Sequence, residues 1–349
     1  MTHYIDSFPG RTISIQGRTY LYFGGTAYLG LQTDSTFQNL FIENIKRFGT
    51  NYGASRKSNI KLSIFEEAER HLARQVGAKS CVTVSSGYLA GQLVAQSMTS
   101  KAHRFFYAPN AHSALYPIKS KSYTTFTALN IALREHLRVQ NDIVPVVFLD
   151  AIDFSGCNYP DFTPLKMLPL DKIILVVDDS HGIGIVGDNG GGVFSILNQL
   201  QIKELLVCCS LGKGFGIQAG AVFGKVERIS QLMDTSFFGG ASPAAPAALA
   251  TLLEAEQIYT ENREQLHKHI ARFQGSLKNP EKFNGMVGHP AFSFSDVQLT
   301  EYLEQEGIIL TNFPYPEQHS QLMSRIVISA HHKDDDIDKL TTLLNEQQV

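Results

Sequence analysis

Two residues stand in settings that point to chemistry: Asp178, in Val-Val-Asp-Asp-Ser-His, and Lys213, in Ser-Leu-Gly-Lys-Gly-Phe-Gly. Ile173 to Val177 is a continuous apolar run rich in β-branched residues, the pattern of a strand buried on both faces of a parallel sheet, and Asp178 closes it. Leu205 to Cys209 is a second such run, followed by Ser210, Leu211, Gly212 and Lys213. An acid and an amine are thus predicted just past strand ends, the edge at which open α/β sheets bind ligands. Pyridoxal phosphate (PLP) is a cofactor that uses both groups. A lysine amine forms a Schiff base with its aldehyde, and a carboxylate against the ring nitrogen keeps the ring protonated and able to absorb carbanion charge.

For an arbitrary pair, a loop-capping acid and an exposed lysine are the commoner assignments. They leave unexplained His181, the glycines of His-Gly-Ile-Gly, and Ser210 three residues before the lysine. Asp-Asp-Ser-His-Gly-Ile-Gly followed by Ser-Leu-Gly-Lys-Gly-Phe-Gly resembles the α-oxoamine synthase family of fold-type I PLP-dependent enzymes. The resemblance runs from about Tyr20 to about Leu343 and is strongest from Gly49 to Gly224.

The resemblance implies an α/β fold: a large PLP-binding domain with a mostly parallel seven-stranded sheet flanked by helices, and a smaller α+β C-terminal domain. The expected division is an N-terminal segment over 1–35 joining the small domain, a large domain over 36–250 and the small domain over 251–349. Implied too are a homodimer with active sites at its interface, and amino acid and acyl-CoA substrates. Catalysis falls to Lys213, His112, Asp178 and His181. His112, in Ala-Pro-Asn-Ala-His-Ser-Ala, matches the family histidine that stacks on the ring, and His181 the one near the ring hydroxyl. Ser86, Gly87 and Tyr88, where a strand turns into a helix, match the segment that holds the cofactor phosphate, with Ser210 beside them, and Ser242 is the hydroxyl available in the loop that reaches across to the partner's phosphate. A helix N-terminus presents amide donors and a positive dipole end to an anion. Arg325, in Ser-Arg-Ile-Val-Ile-Ser-Ala-His-His, takes the place of the arginine that forks onto the substrate carboxylate. The plainer alternative for it is a solvated arginine on an edge strand.

The chain departs from the family at three places. Thr26-Ala27 replaces Asn-Asp before Tyr28-Leu-Gly-Leu31, which leaves Thr26 as the substrate-side residue there. Phe154 falls at the position of a serine that reaches the ring hydroxyl, with Ser155 next to it. Gly239, Gly240 and Ala241 stand in a loop that is otherwise rich in hydroxyls and reaches the partner's phosphate.

The remaining sequence bounds these readings. At 349 residues the chain can form a large domain and a companion. A net charge of -3 and a pI near 6.5 give no basic field for nucleic acid. There is no apolar run of membrane-spanning length and no signal-peptide pattern at the start, so a cytoplasmic protein is expected. Cys81, Cys157, Cys208 and Cys209 lack metal or redox spacing, and no metal is expected. Gly190-Gly-Gly192 reads as a flexible turn, and Ala247 to about Leu277 as one long helix. Two further functions stay open: another reaction of the same cofactor (amino transfer, decarboxylation or racemisation), and a non-catalytic dimeric scaffold.

Overall fold

The computed structural model describes residues 3–117, 121–140, 142–153, 162–314 and 322–347. In chain order its strands are β1 (Thr12–Ile15), β2 (Arg18–Phe23), β3 (Ser80–Val84), β4 (His103–Tyr107), β5 (Val144–Asp150), β6 (Ile174–Asp178), β7 (Glu204–Ser210), β8 (Gly220–Gly224), β9 (Asn284–Gly285), β10 (Ala291–Phe294), β11 (Ile308–Pro314) and β12 (Leu322–Val327). They form two sheets in two compact units.

One unit comprises the described residues of Leu40–Asp153 and Cys157–Glu256. Its sheet has the order β3-β8-β7-β6-β5-β4. From β4 to β7 the pairs are parallel, while β8 is antiparallel to both of its neighbours. All five residues of β6 are buried, as a strand covered on both faces requires. Helices α1 (Ser35–Phe48), α2 (Ser63–Val76) and α3 (Gly87–Ser97) follow the apolar spacing of their sequences. On α2, Ile64, Phe65, Ala68, Leu72 and Val76 are buried, and Gly77 ends the helix in the left-handed region at φ 79°. Leu93 and Val94 of α3 pack in one core with Val82, Phe148, Val176, Leu206 and Val222 from the sheet.

Six strands pair in this sheet among the described residues, where seven were expected. Beside β4, Tyr123 donates its N–H to Tyr107 O at 2.9 Å and stacks on Phe106 at 6.3 Å. That isolated bond does not extend into a ladder, so residues 121–123 run along the edge without becoming a strand.

The other unit comprises the described residues of Met1–Asn39 and Gln257–Val349. Its sheet has the order β1-β2-β11-β12-β10-β9, with β2 and β11 parallel and the other pairs antiparallel. Helices Val297–Gln305 and Asp334–Glu346 belong to it, giving the α+β character anticipated. Asp334, Asp335 and Asp336 occupy the first turn of the last helix, where its dipole favours acids. Asp336 also accepts both Arg11 Nε and Nη2, at 2.6 and 2.8 Å, which ties the N-terminal segment to that helix. The expected single helix from Ala247 is two, Pro246–Glu254 and Glu256–Ser276. Ala255 between them has φ -96° and ψ 17°, which breaks the helical ladder without the proline or glycine that would have marked it in sequence. Among the described residues no helix is long and apolar enough to cross a membrane.

Candidate active site

Register brings the chemistry-bearing residues to one sheet edge. Asp150 at the end of β5 pairs with Asp178 at the end of β6, Asp178 pairs with Cys208, and Ser210 at the end of β7 pairs with Gly220. The carboxyl ends of parallel strands are where open sheets place ligands.

Beyond that edge, Lys213 follows β7 on the short helix Leu211–Gly214, and His181 follows β6. Lys213 Nζ is 3.0 Å from His181 Nε2, with the ammonium donating and the imidazole nitrogen accepting. Asp178 Oδ1 accepts both the backbone N–H of Ser180, at 2.9 Å, and its hydroxyl. Ser180 Oγ in turn accepts the N–H of Ser210 at 2.9 Å, so the loops after β6 and β7 are joined. His112 belongs to the same group: burial lowers its imidazole pKa, the Asp178 charge raises it and the Lys213 charge lowers it. Lys213, His181, Asp178 and His112 are therefore brought together.

The anion-binding turn is built as the sequence predicts. Ser86 is the N-cap of α3, its Oγ accepting Leu89 N–H at 3.2 Å, which leaves the amides of Gly87 and Tyr88 in the unpaired first turn. A Cβ on Gly87 would lie 2.6 Å from Ser210 Cβ, so only glycine lets this turn close on the end of β7. Ser85 N–H donates to Ser242 O at 3.1 Å, placing Ser242 at the same turn. Tyr88 is 59% exposed beside it. Gly239 and Gly240 end the helix Ser236–Gly240, and Ser55 Oγ donates to Gly239 O at 2.7 Å.

Sequence reasoning passed over three residues here. Ser180 links Asp178 to Ser210, and its signal was its position inside Asp-Asp-Ser-His. Asp179 is 1% exposed, and its Oδ2 accepts Val193 N–H at 2.9 Å. Its carboxyl fills the space that side chains on Gly182 and Gly192 would need: their Cβ positions fall 2.1 and 2.0 Å from its oxygens. Gly190, Gly191 and Gly192 are accordingly buried, which corrects the expectation of a flexible turn: these glycines admit a carboxylate and the Gln75 carbonyl. Asp150 accepts the backbone N–H of His112 at 3.0 Å; its signal was a strand end matching that of Asp178.

In the other unit, Arg325 is 6% exposed on β12, with β11 and β10 on either side. The solvated edge-strand alternative is overturned, because both flanks of β12 are paired and the side chain is covered. Arg325 Nη2 donates to Gly25 O at 3.4 Å, and Gly25 N–H donates to Thr311 Oγ1 at 3.1 Å, so Thr26 follows directly on a residue that Arg325 holds. Phe154 and Ser155 lie outside the described residues. Cys81, Cys208 and Cys209 are buried with free thiols, and burial pushes all three thiols up.

The arrangement fits PLP on its own geometry: an amine and a carboxylate on neighbouring strand ends, and beside them a helix N-terminus closed by an obligatory glycine. Residues 161–344 match the model of the aminotransferase class I and II family. The chain belongs to that family. Within it, the relatives this chain resembles are named 8-amino-7-oxononanoate synthase, in keeping with the α-oxoamine synthase resemblance of the sequence motifs. It is 27% identical over 366 residues to 8-amino-7-oxononanoate synthase of Hahella chejuensis, covering 98% of this chain and 90% of that one. It is 28% identical over 367 residues to the protein of that name from Erwinia tasmaniensis, covering 98% and 93%. A serine palmitoyltransferase from S. paucimobilis, solved with PLP and myriocin bound, superposes with a TM-score of 0.82 at 18% identity, covering 99% of this chain and 92% of that one. At that identity the superposition speaks for the fold alone.

Proposed function

We propose that the chain is a PLP-dependent C-acyltransferase that joins an amino acid to an acyl thioester with loss of carbon dioxide and CoA. The reading rests above all on the contact between Lys213 and His181 at the strand edge that carries Asp178. The similarity to 8-amino-7-oxononanoate synthases favours acyl transfer over amino transfer, decarboxylation, racemisation or a scaffold role.

Asp178, fixed by two donors from Ser180, is the group to hold a protonated ring nitrogen. Lys213 would hold the aldehyde end of PLP, and His112 would lie beside its ring. The first turn of α3 at Ser86, Gly87 and Tyr88, with Ser210 and Ser242, holds the phosphate. Bound there, PLP supplies an electron sink that absorbs charge left at the amino-acid α-carbon. When free of the cofactor, Lys213 Nζ would be the base that takes the α-proton, with His181 Nε2 orienting it by accepting its N–H. Arg325 takes the substrate carboxylate; a buried guanidinium on a central strand suits a dedicated anion better than bulk water. Thr26 lies beside that carboxylate. We also read the chain as a cytoplasmic homodimer with its sites at the interface and a small domain starting near residue 251.

The test is CoA release measured with a free-thiol reagent over a panel of amino acids and acyl-CoAs. Release that requires both substrates supports acyl transfer. Keto acid formed from the amino acid without thioester contradicts it.

A further inference from the structure

We propose that Asp150 is a positioning residue of this site: its carboxyl oxygen fixes the backbone of His112 and so sets where the imidazole lies. This goes beyond the roles assigned above and rests on the PLP reading of the site.

His112 has two points of attachment. Its backbone N–H donates to Asp150 Oδ1 at 3.0 Å, and its ring Nδ1 accepts Ala114 N–H at 3.1 Å. Because a backbone amide can only donate, Nδ1 is an acceptor, and a neutral imidazole carries its proton on Nε2. The ring is thus fixed in tautomer by Ala114 and in place by Asp150. Asp150 can do this because it is the last residue of β5, held in register with Asp178, whose backbone O accepts Ala151 N–H at 2.8 Å. The His112 segment leaves β4, and Asp150 therefore connects the ends of two neighbouring strands.

The groups that face Asp150 are Asp178 on β6, Lys213 after β7, His112 after β4 and Asp153 on its own loop. Burial first, and then the Asp178 charge, push the Asp150 carboxyl well above the usual range, against His112 N–H and Lys213, which pull it down. The contact on His112 is a single backbone N–H donated to one carboxyl oxygen, Oδ1. What Asp150 contributes is then an oxygen acceptor rather than a charge, and an amide serves as well.

The measurement is PLP affinity, from absorbance titration of the cofactor-free protein, together with the pH dependence of the visible band, for wild type, Asp150→Asn and Asp150→Ala. Asp150→Asn should stay within about twofold of wild type with the same pH profile, since its amide oxygen still accepts His112 N–H. Asp150→Ala should weaken PLP about tenfold, the cost of leaving a buried donor unpaired. An Asn variant as weak as Ala overturns the proposal by making charge the decisive property, and an Ala variant with wild-type affinity overturns it by making the contact irrelevant. Both results leave the PLP reading standing, whereas wild-type protein that takes up no PLP overturns both.

Discussion

The Nζ of Lys213 lies within hydrogen-bond distance, 3.0 Å, of Nε2 of His181, so an amine and an imidazole from adjacent strand-end loops meet directly. Replacing His181 by Ala removes the acceptor that orients the amine. PLP affinity should fall about tenfold while the folded state persists, because the loop is also held through Ser180 and Asp179. Fluorescence titration with PLP and a parallel thermal melt check the two parts separately.

Ser180 joins Asp178 to the end of β7. Ser180→Ala leaves Ser210 N–H without its acceptor and Asp178 without one of its donors. The expected loss is about 1–3 kcal/mol of folding stability, read by urea denaturation, with weaker PLP binding alongside. Ser180→Thr, which keeps the hydroxyl, should recover most of the affinity.

Asp179 and the glycines around it form a lock-and-key pair inside the protein. Gly192→Ala places a methyl 2.0 Å from Asp179 Oδ2 at a residue with φ +70°. It should cost about 1–3 kcal/mol from overpacking alone. Shortening the acid with Asp179→Ala in the same chain frees that volume, so a double-mutant cycle should give a coupling of about 0.5–3 kcal/mol. Strict additivity would contradict the contact.

A cluster in the other unit sets a pH dependence. His332 stacks on Phe23 at 4.1 Å, and its ring nitrogens meet Ser329 N–H at 2.9 Å and Tyr22 O at 3.0 Å. Burial, and then the neighbouring His331, push it down to about 3; burial pushes His331 down to about 4. Both pKa values are below the ordinary histidine value of about 6.5, so the unfolded chain binds protons that the fold refuses. Stability is therefore full above that value and is lost as pH falls towards the folded pKa values, at a slope of up to about 1.4 kcal/mol per pH unit for each group. Urea midpoints between about pH 7 and 5 measure it, and His332→Gln should flatten the slope.

Much of the site was legible because strand ends have a strong sequence signature. Continuous apolar runs closed by Asp178 and Ser210 set the sheet edge, and Ser-Gly before an apolar run set the α3 turn. What the sequence could not reveal depends on contacts between distant segments. Whether Gly190 to Gly192 forms a flexible turn or a packed cradle is decided by Asp179, and the break at Ala255 has no local marker. Asp150 looked like any strand-terminal acid until register set it opposite Asp178 and under His112. Arg325 was ambiguous for a similar reason: only pairing on both flanks of β12 distinguishes a covered guanidinium from a solvated one.

The central claim is that Lys213 and Asp178 embrace one PLP ring, and absorption spectroscopy of the purified protein tests it most directly. Titration with PLP should raise a band at the violet edge of the visible in wild type. Lys213→Ala should lack that lysine-dependent band, and Asp178→Asn should weaken or shift it. Wild-type protein that stays colourless with excess PLP, or a Lys213→Ala variant with an undiminished band, would contradict the account.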